Sequence, residues 1–351
     1  MKDLSSEFYI VVYDGKKFKT YDKKILSDRS ASPLKEFKYK LIGERFFSSY
    51  DYSVILGLNK DFNVVELDPI NGKFSDRIKD IRKTFDKHDL ILENLEDFKT
   101  ITVSNKGKCI GVISWHGVLI EKGGLFNKIK GVEHKVGYTT ERYVGTEEGP
   151  WGEDVIVTKK EEHFYYENAH IVAGAISPNG ENIALSEDIM FKRCYAAIYS
   201  LKQDKYTLVK ENLFEEPYYE EPVWLHDNET VGFSYRDKEF NCGLEILNIK
   251  NKRSRRVSLS FPIVSFDSSR TEKKFAIHCS DGNLFILDTE KKDLKLERVI
   301  GISGEILSLQ WSPDANYLLL VSPKKKIWII NLENKKLTEI KGRFAAWYVA
   351  D

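Results

Sequence analysis

The 351-residue sequence lacks the motifs that mark many well-known catalytic and nucleotide-binding sites. It contains no Gly-x-Ser-x-Gly nucleophile elbow, no Gly-x-x-x-x-Gly-Lys-[Ser/Thr] phosphate loop and no Gly-x-Gly-x-x-Gly dinucleotide motif. These absences argue against the serine hydrolases, P-loop nucleotidases and dinucleotide-dependent enzymes that such motifs identify. No other catalytic motif stands in their place.

Cysteine and histidine are sparse, with four cysteines and seven histidines. The cysteines lie far apart at Cys109, Cys194, Cys242 and Cys279, whereas zinc sites draw on close pairs. No two histidines are two or four residues apart, so neighbouring ligands on one strand or helix face are not indicated. The sequence therefore predicts buried free thiols, no bound metal and no cofactor.

The chain has no excess charge of either sign, because 54 Lys and Arg residues balance 54 Asp and Glu residues. We therefore expect no nucleic-acid partner held by a broad basic surface. No stretch approaches the roughly 20 apolar residues that cross a bilayer, and residues 1–15 lack the pattern of a signal peptide. The sequence predicts a cytoplasmic protein that does not bind membranes.

Glutamine occurs only at Gln203 and Gln310, and methionine only at Met1 and Met190, while lysine and glutamate are abundant. This bias is typical of proteins from hot environments, in which ion-pair networks increase and labile amides decrease. An AT-rich genome also favours lysine, so both explanations stay open.

Short apolar runs of strand length recur along the whole chain, in which 42% of the residues are hydrophobic and 13% are aromatic. In the clearest unit, a Ser-Pro-Asp-Ala turn at 312–315 separates two apolar runs within 309–321. Two more runs, at 327–332 and 336–340, follow across short turns. This order indicates four short strands joined by hairpins.

The same order of turn and apolar run recurs upstream. Its equivalent positions are Asp51, Ser104, Ser177, His226, Asp267 and Ser312. Most steps between them lie near the roughly 40–50 residues of a propeller blade. The longer step from Ser104 to Ser177 holds either an extra blade or a long insertion.

The two ends of the chain provide complementary parts of one unit. Residues 344–350 resemble a first strand with no others after it, and residues 8–13 and 17–21 resemble a second and third strand without a first. Together they predict one blade built from both termini. Such a blade closes a ring of sheets and leaves no open strand edge.

This repeat resembles the WD-repeat and TolB-like β-propellers over essentially the whole chain. The Ser-Pro-Asp-Gly turn of these families is matched at 312–315 and by Ser-Pro-Asn-Gly at 177–180, whereas clear Gly-His and Trp-Asp pairs are missing. The resemblance implies a toroid with a central channel and a protein-binding role. We therefore predict an all-β, seven-bladed β-propeller of four-stranded antiparallel blades, with residues 1–351 forming a single propeller domain.

Residues 123–153 break the repeat. The segment is rich in glycine and mixes aromatic with charged residues, and long insertions in regular arrays are usually either functional or disordered. We interpret it as a loop that binds a partner or covers a ligand. The alternatives are an elaborated hairpin that packs on its own blade and an eighth blade between 122 and 170. We prefer seven blades, because this region has no Ser-Pro-Asp type of turn.

Candidate partner-binding residues lie in the tight turn at 114–117, in the insertion, and in an acidic and aromatic connection at 215–222 that prolines stiffen. They are Trp115, His116, His134, Arg142, Tyr143, Trp151, Tyr218 and Tyr219. His170 directly precedes the start of a unit, so we expect it on the same face of the ring as His116.

These observations favour a non-catalytic intracellular scaffold that binds a protein partner through the loops of one propeller face and through the 123–153 insertion. The alternative is a propeller enzyme, a hydrolase or lyase, with a small-molecule site at the mouth of the central channel. A deep pocket with perturbed titratable groups favours the enzyme. An open, aromatic-rich face favours the scaffold.

Overall fold

A computed structural model describes residues 7–26, 31–39, 47–90, 92, 97–148, 154–189, 193–211, 221–237, 239–302 and 304–350, with residues 134–148, 154–158, 161–166, 189, 193–194 and 211 described by their backbone alone. Within these residues, seven antiparallel sheets of four strands each stand around a ring. The protein is therefore an all-β, seven-bladed β-propeller, which confirms the prediction from the sequence.

The first four blades take the following strands in chain order. Blade 1 holds β1 (Phe8–Tyr13), β2 (Lys17–Tyr21) and β3 (Lys35–Lys38), and blade 2 holds β4 (Phe47–Ser48), β5 (Ile55–Leu58), β6 (Val64–Asp68) and β7 (Lys73–Ile78). Blade 3 holds β8 (Phe98–Val103), β9 (Ile110–Ser114), β10 (Gly117–Lys122) and β11 (Leu125–Ile129). After the separate strands β12 (Glu133–Glu148) and β13 (Asp154–Asn168), blade 4 holds β14 (His170–Ile176), β15 (Asn182–Ile189), β16 (Arg193–Ser200) and β17 (Lys205–Glu211).

The remaining strands complete the ring. Blade 5 holds β18 (Val223–Trp224), β19 (Thr230–Arg236), β20 (Cys242–Asn248) and β21 (Arg253–Leu259), and blade 6 holds β22 (Ile263–Ser268), β23 (Lys274–Cys279), β24 (Asn283–Asp288) and β25 (Leu296–Gly301). Blade 7 holds β26 (Ser308–Trp311), β27 (Tyr317–Ser322), β28 (Lys326–Asn331) and β29 (Leu337–Lys341), and β30 (Phe344–Val349) belongs to blade 1.

Within the described residues, helical structure is confined to short segments. A helix, α1 (Ile81–Lys87), follows blade 2, and 3-10 turns lie at Lys23–Leu26 and Asn105–Gly107. Among the residues that the structure describes, no helix is long and apolar enough to cross a membrane.

Blade 1 closes the ring by joining the two ends of the chain. Strand β30 pairs antiparallel with β1, from Phe8 opposite Val349 to Tyr13 opposite Phe344. The predicted closure by N- and C-terminal strands is therefore confirmed. It turns two potential sheet edges into one continuous ladder.

The hydrophobic core lies between neighbouring blades. Between blades 7 and 1, for example, Phe8 and Trp347 pack with Leu319 and Ile327, and the Phe8 and Trp347 rings meet edge to face at 5.3 Å. The second strand of a blade is covered on both faces by the adjacent blades. This explains why β9 is buried along its whole length and why such strands appear in the sequence as continuous apolar runs.

A serine turn joins the first and second strands of four blades. Its hydroxyl accepts a hydrogen bond of 2.9–3.0 Å from the backbone N–H five residues later. The serines are Ser49, Ser104, Ser177 and Ser312. This local bond explains the recurring Ser-x-Asp type of turn, because a side chain that bonds the backbone two to five residues on favours a turn.

The backbone hydrogen bonds of these turns correct three of the equivalent positions taken from spacing. The residue that opens each turn donates its N–H to the carbonyl five residues later. By this criterion the equivalent positions are Ser49 rather than Asp51, Leu225 rather than His226, and Ser269 rather than Asp267. An alignment of the units by their apolar runs can be wrong by one or two residues, whereas the turn hydrogen bond identifies one position in each unit.

Strands β12 and β13 form a separate two-stranded sheet between blades 3 and 4, which we call the arm (residues 133–168). The sequence placed the insertion at 123–153. In the structure, Leu125–Ile129 is the outer strand of blade 3. The segment that belongs to no blade extends to Asn168. In the described residues the region between 122 and 170 thus adds no eighth blade.

Candidate functional site

The arm is a long antiparallel ribbon. Its register comprises 15 residue pairs, from Glu133 opposite Asn168 to Glu148 opposite Asp154, and with a rise of about 3.4 Å per residue it is roughly 50 Å long. Within the described residues neither strand pairs with a blade, and the two strands pack mainly on each other. Each strand therefore has one edge outside any ladder in that part of the chain.

The two strands of the arm differ in regularity. The register of β12 shifts between Tyr143 and Gly145, which places a β-bulge at this point, and β12 also contains Gly137. Strand β13 contains neither glycine nor proline and pairs without interruption. Bulges twist an edge away from further pairing, so the regular β13 is the better template for an additional strand.

The root of the arm is fixed to blade 4. The Ala169 N–H donates to the Val132 carbonyl at 2.9 Å, and the Tyr206 hydroxyl donates to the Lys130 carbonyl at 2.7 Å. Gly131 lies so close to the opposite chain that a Cβ built there would be 1.9 Å from the Ala169 oxygen. Only glycine fits this crossing, and the arm therefore leaves the ring from a fixed point.

A buried carboxyl group, Glu187 on β15, supports the same root. One of its oxygens accepts the Val132 N–H at 2.8 Å, and the other lies 2.7 Å from the Tyr206 hydroxyl. Burial raises the pKa of Glu187 to about 7. Glu187 and Tyr206 could not be predicted from the sequence, since neither belongs to a motif. Gly131 lies within the glycine-rich segment 123–153, and that composition was the only signal for it.

An aromatic cluster lies beside the root. The rings of Trp115 and His170 stack at 4.9 Å, and the His116 ring lies 6.1 Å from that of His170. The Lys99 ammonium lies 4.6 Å from the centre of the Trp115 ring. The Ile171 N–H also donates to the Trp115 carbonyl at 3.1 Å. The turn at 115–116 and the start of β14 therefore share one face of the ring, as expected.

The other candidate residues are distributed as follows. His134, Arg142 and Tyr143 lie on β12 of the arm, where the backbone is described. Trp151, Tyr218 and Tyr219 lie outside the described residues. The structure therefore brings the turn residues Trp115 and His116 to the root of the same arm that carries three of the others.

The central channel contains a cavity of about 730 Å³. Its wall includes residues from the innermost strands of all seven blades in the described part of the chain. Phe344, Leu307, Glu305 and Glu221 line it near the point where these strands begin. We call this side of the ring the upper face. The arm root and the Trp115 turn lie on it too, because both adjoin the start of β14.

The opposite end of the channel is closed by the β4–β5 turn. From blade 2, the Tyr52 hydroxyl reaches across to donate to the Trp311 carbonyl of blade 7 at 2.6 Å. The Tyr50 hydroxyl donates to the Ser269 carbonyl after blade 6 at 3.3 Å, and the Val349 N–H of blade 1 donates to the Tyr52 carbonyl at 3.0 Å. One turn thus ties blade 2 to blades 1, 6 and 7.

An ion pair completes this closure. The Arg270 Nη1 donates to the Asp267 Oδ1 at 2.9 Å, and its Nε donates to the Tyr50 carbonyl at 2.6 Å. The guanidinium lies 4.2 Å and 4.6 Å from the ring centres of Tyr50 and Tyr52. The second Asp267 oxygen accepts the Trp311 N–H at 2.9 Å. Both oxygens of this carboxylate are therefore engaged.

These groups are poorly suited to proton transfer. Burial raises the pKa of Tyr50 to about 12 and the pKa of Tyr52 well above its usual value. Both phenols therefore stay protonated near neutral pH, and Asp267 is held by Arg270 and Trp311. The geometry makes this cluster a structural closure rather than an acid–base pair.

Other titratable groups form local contacts. Residues 250–256 are rich in lysine and arginine. In this segment Lys250 pairs with Glu229 at 3.2 Å, Arg256 pairs with the buried Glu245 at 2.8 Å, and Arg255 donates to the Thr289 carbonyl at 2.6 Å. In the described residues, no group of three or more His, Cys, Asp or Glu side chains is arranged to hold a metal ion.

Three cysteines follow the expectation of buried free thiols. Cys109, Cys242 and Cys279 are buried and form no disulfide. Burial raises the pKa of Cys109 to about 11 and that of Cys279 to about 12, so neither thiol is a reactive thiolate. The side chain of Cys194 lies outside the described residues.

Comparisons with known proteins extend the description of the fold. No protein-family profile and no curated protein sequence matches this chain. Among solved structures, it is similar to the dihydro-heme d1 dehydrogenase NirN in complex with DHE, with a TM-score of 0.51 and 12% identity over 99% of this chain and 76% of that chain. At this level of identity the likeness concerns the fold alone.

Proposed function

We propose that this protein is a non-catalytic interaction scaffold, and that it binds a protein partner through the arm and the upper face at its root. The observation that carries the proposal is the arm itself, a ribbon of 15 residue pairs that joins no blade in the described part of the chain. An isolated two-stranded ribbon is marginally stable in water. A long ribbon of this kind is more stable when a further protein surface covers or extends it.

The root geometry supports a role in recognition. A flexible tether binds weakly, because ordering it on binding costs entropy, whereas a pre-ordered element avoids that cost. The close crossing at Gly131 and the bonds to Val132 and Lys130 hold the arm in one orientation. The stacked Trp115 and His170 extend the contact area, since aromatic rings are large and lose little freedom on binding.

The channel supports this choice indirectly. Asp267, Arg270, Tyr50 and Tyr52 are the titratable groups at the closed end of the cavity, and they bind one another. A catalytic acid or base needs a free position within hydrogen-bond reach of its substrate. A cluster that is saturated in this way argues against a hydrolase or lyase site at the closed end, which leaves Glu221 and Glu305 at the upper end as the carboxyl groups of the described channel wall to consider for such a role.

Affinity capture with an arm-excised variant tests the proposal. The Ala169 N–H already bonds the Val132 carbonyl, so replacing residues 133–168 with Asn-Gly leaves a two-residue hairpin turn at the root. This excision begins after β11 and therefore leaves blade 3 intact. We expect the wild type to capture a stoichiometric protein that the excised variant loses while its thermal unfolding is unchanged. Equal capture by both proteins contradicts the role of the arm.

A second candidate function is the binding of a small molecule in the channel. The cavity of about 730 Å³ favours it, because small-molecule sites are typically about 300–1,000 Å³. The wall mixes aromatic groups such as Phe47 and Phe266 with polar groups such as Gln310 and Thr102. This function requires no catalysis and is compatible with a scaffold.

A channel-filling substitution separates the two candidates. Ser308 is half-buried on β26 in the channel wall, so Ser308→Phe narrows the cavity and leaves the arm intact. In a thermal-shift screen, compounds that stabilise the wild type but not this variant indicate a channel ligand. Loss of the captured protein from Ser308→Phe, with the arm-excised variant still binding, contradicts the arm as the contact.

A further inference from the structure

The order of residues along β13 is self-complementary. Its first half runs from the aliphatic residues 155–157 to Lys159 and Lys160, and its second half runs from Glu161 and Glu162 to the aromatic residues 164–166. If the strand is reversed about Glu161, Lys160 meets Glu162 and the aliphatic residues 156 and 157 meet aromatic ones. Opposite charges and aromatic–aliphatic pairs are the cross-strand neighbours that stabilise antiparallel sheets.

Two-fold symmetry restricts how such a strand pairs with its own copy. Paired residues on antiparallel strands share one face of the sheet. A two-fold axis perpendicular to the sheet keeps each residue on its face, so it passes midway between the two copies of one residue, which lie opposite each other. With the axis at Glu161, Lys160 lies opposite Glu162 of the second copy, and Lys159 opposite its His163.

The same register places three β-branched residues opposite three aromatic ones. They are Thr158 opposite Phe164, Val157 opposite Tyr165 and Ile156 opposite Tyr166 of the second copy. The one unfavourable neighbour is Glu161 facing itself, and Lys159 of the second copy lies diagonally on the same face. In this register, residues 156–166 of β13 all pair with the second copy.

We propose that β13 is a homodimer interface, at which two copies of this chain pair their arms antiparallel about an axis at Glu161. The two ribbons then form one four-stranded sheet in the order β12, β13, β13 of the second copy, and its β12. This inference rests on the proposed role of the arm as an interaction element and identifies a second copy of the chain as its partner.

The difference between the two arm strands supports the choice of β13. A bulge between Tyr143 and Gly145 interrupts β12, as edge strands that avoid pairing often show. Strand β13 has no such interruption. Its exposed Lys159 and Lys160 are edge charges of the kind that discourage pairing with an unrelated strand, whereas Glu162 of a second copy compensates Lys160. In a monomer, this edge is a long template for unwanted association. Pairing with a second copy uses that edge in a closed, symmetric contact.

Cysteine cross-linking tests the position of the axis. A residue on the axis has its Cα about 4.5–5.5 Å from that of its copy, within reach of a disulfide, and Glu161→Cys should therefore cross-link under mild oxidation. The control Lys159→Cys should not, because two copies of residue 159 are four positions out of register, roughly 13 Å apart. The three described native cysteines are buried and contribute little background. Absence of the Glu161→Cys dimer overturns the proposal.

Charge reversal tests the pairing itself. Lys160→Glu and Glu162→Lys each place like charges opposite one another, and we expect each to weaken the dimer at least about tenfold in sedimentation equilibrium. An equimolar mixture should restore wild-type affinity, because positions 160 and 162 of the two variants again carry opposite charges where they face each other. Effects within one arm, where Lys160 faces Glu141, cannot be rescued by mixing. Failure of the mixture to recover overturns the proposal.

The outcome also separates this inference from the proposed function. A wild-type protein that is monomeric at about 50 μM, roughly the range of weak homodimers, overturns the homodimer. If that monomer still captures another protein that the arm-excised variant loses, the scaffold function stands without the homodimer.

Discussion

The Tyr206 hydroxyl lies 2.7 Å from a carboxyl oxygen of Glu187 and also 2.7 Å from the Lys130 carbonyl oxygen. A phenol has one proton, so it cannot donate to both. Both contacts are satisfied when Tyr206 donates to Lys130 and a protonated Glu187 donates to Tyr206. This geometry agrees with the pKa of about 7 that burial gives Glu187, and it couples the arm root to pH.

We predict that Glu187 makes the free energy of unfolding depend on pH. Its pKa of about 7 in the folded protein exceeds the ordinary 4.5, so the folded state holds the proton more tightly than the unfolded chain. The contribution is complete below pH 4.5 and is lost as the pH rises through about 7, and it amounts to roughly 3 kcal/mol. Urea unfolding between pH 4 and 8 measures it.

The Glu187→Gln variant is the matched control. Its amide mimics the protonated carboxyl, because the carbonyl accepts from Val132 and the NH₂ group donates to Tyr206. We expect the stability of the wild type to fall relative to this variant as the pH rises from 4.5 to 7. Parallel curves across that range contradict protonation of Glu187 at the root.

We predict that Gly131→Ala disturbs the arm root. The added Cβ would meet the Ala169 carbonyl oxygen at 1.9 Å, and that oxygen belongs to the backbone and cannot move aside as a side chain does. The free energy of unfolding should fall by about 1–3 kcal/mol, and amide exchange should accelerate first at Val132 and Ala169.

Gly301→Ala provides the comparison, because the nearest atom to its new Cβ is the flexible end of Arg298 at 3.2 Å. That variant should change stability by less than about 0.5 kcal/mol. Equal behaviour of the two alanine variants argues against a tight crossing at Gly131.

The blade pattern could be predicted from the sequence because it depends on interactions between residues that are close together in the chain. The Ser-Pro-Asp-Ala turn at 312–315 places a side-chain hydrogen bond within five residues, and each blade supplies its own apolar runs. Closure by the termini followed from the same pattern, since residues 8–13 lacked a first strand and residues 344–350 provided one.

The site residues could not be read in the same way, because they depend on contacts between distant parts of the chain. Tyr52 and Asp267 meet across the channel although they are 215 residues apart, and no spacing in the sequence indicates this. The bounds of the arm could not be predicted either. In the sequence, Leu125–Ile129 belongs to a glycine-rich segment, but in the structure it pairs with β10 as the outer strand of blade 3.

We predict that the channel closure is a major source of stability. Asp267→Ala leaves the Arg270 guanidinium, whose side chain is 14% exposed, without its ion-pair partner. Removing one member of a buried pair costs roughly 3–5 kcal/mol. Chemical denaturation should show this loss, and Asp267→Asn combined with Arg270→Met should recover part of it.

Glu36→Ala serves as the reference for this prediction, because it removes the exposed ion pair between Lys17 and Glu36. It should cost little, because an exposed ion pair contributes little to the free energy of unfolding. A loss of that small size for Asp267→Ala contradicts a stabilising closure of the channel.

We predict that Trp115→Ala weakens partner binding while the fold stays intact. The substitution removes the stack on His170 beside the arm root, and a central aromatic anchor typically contributes about 2 kcal/mol or more to an interface. The matched control is Phe240→Ala, which removes a 68% exposed aromatic side chain from the turn between β19 and β20 of blade 5. Similar binding losses for both variants, measured by titration calorimetry, contradict a contact centred on the arm root.

Site-specific photo-cross-linking in the native cell tests most directly whether the arm carries the interaction. A photoreactive residue replaces Lys160, which is exposed on β13, or Lys292, which is exposed in the turn between β24 and β25. We predict a discrete cross-linked protein, a second copy or another chain, from position 160 and none from position 292. Adducts from position 292 alone, or equal adducts from both positions, contradict the account.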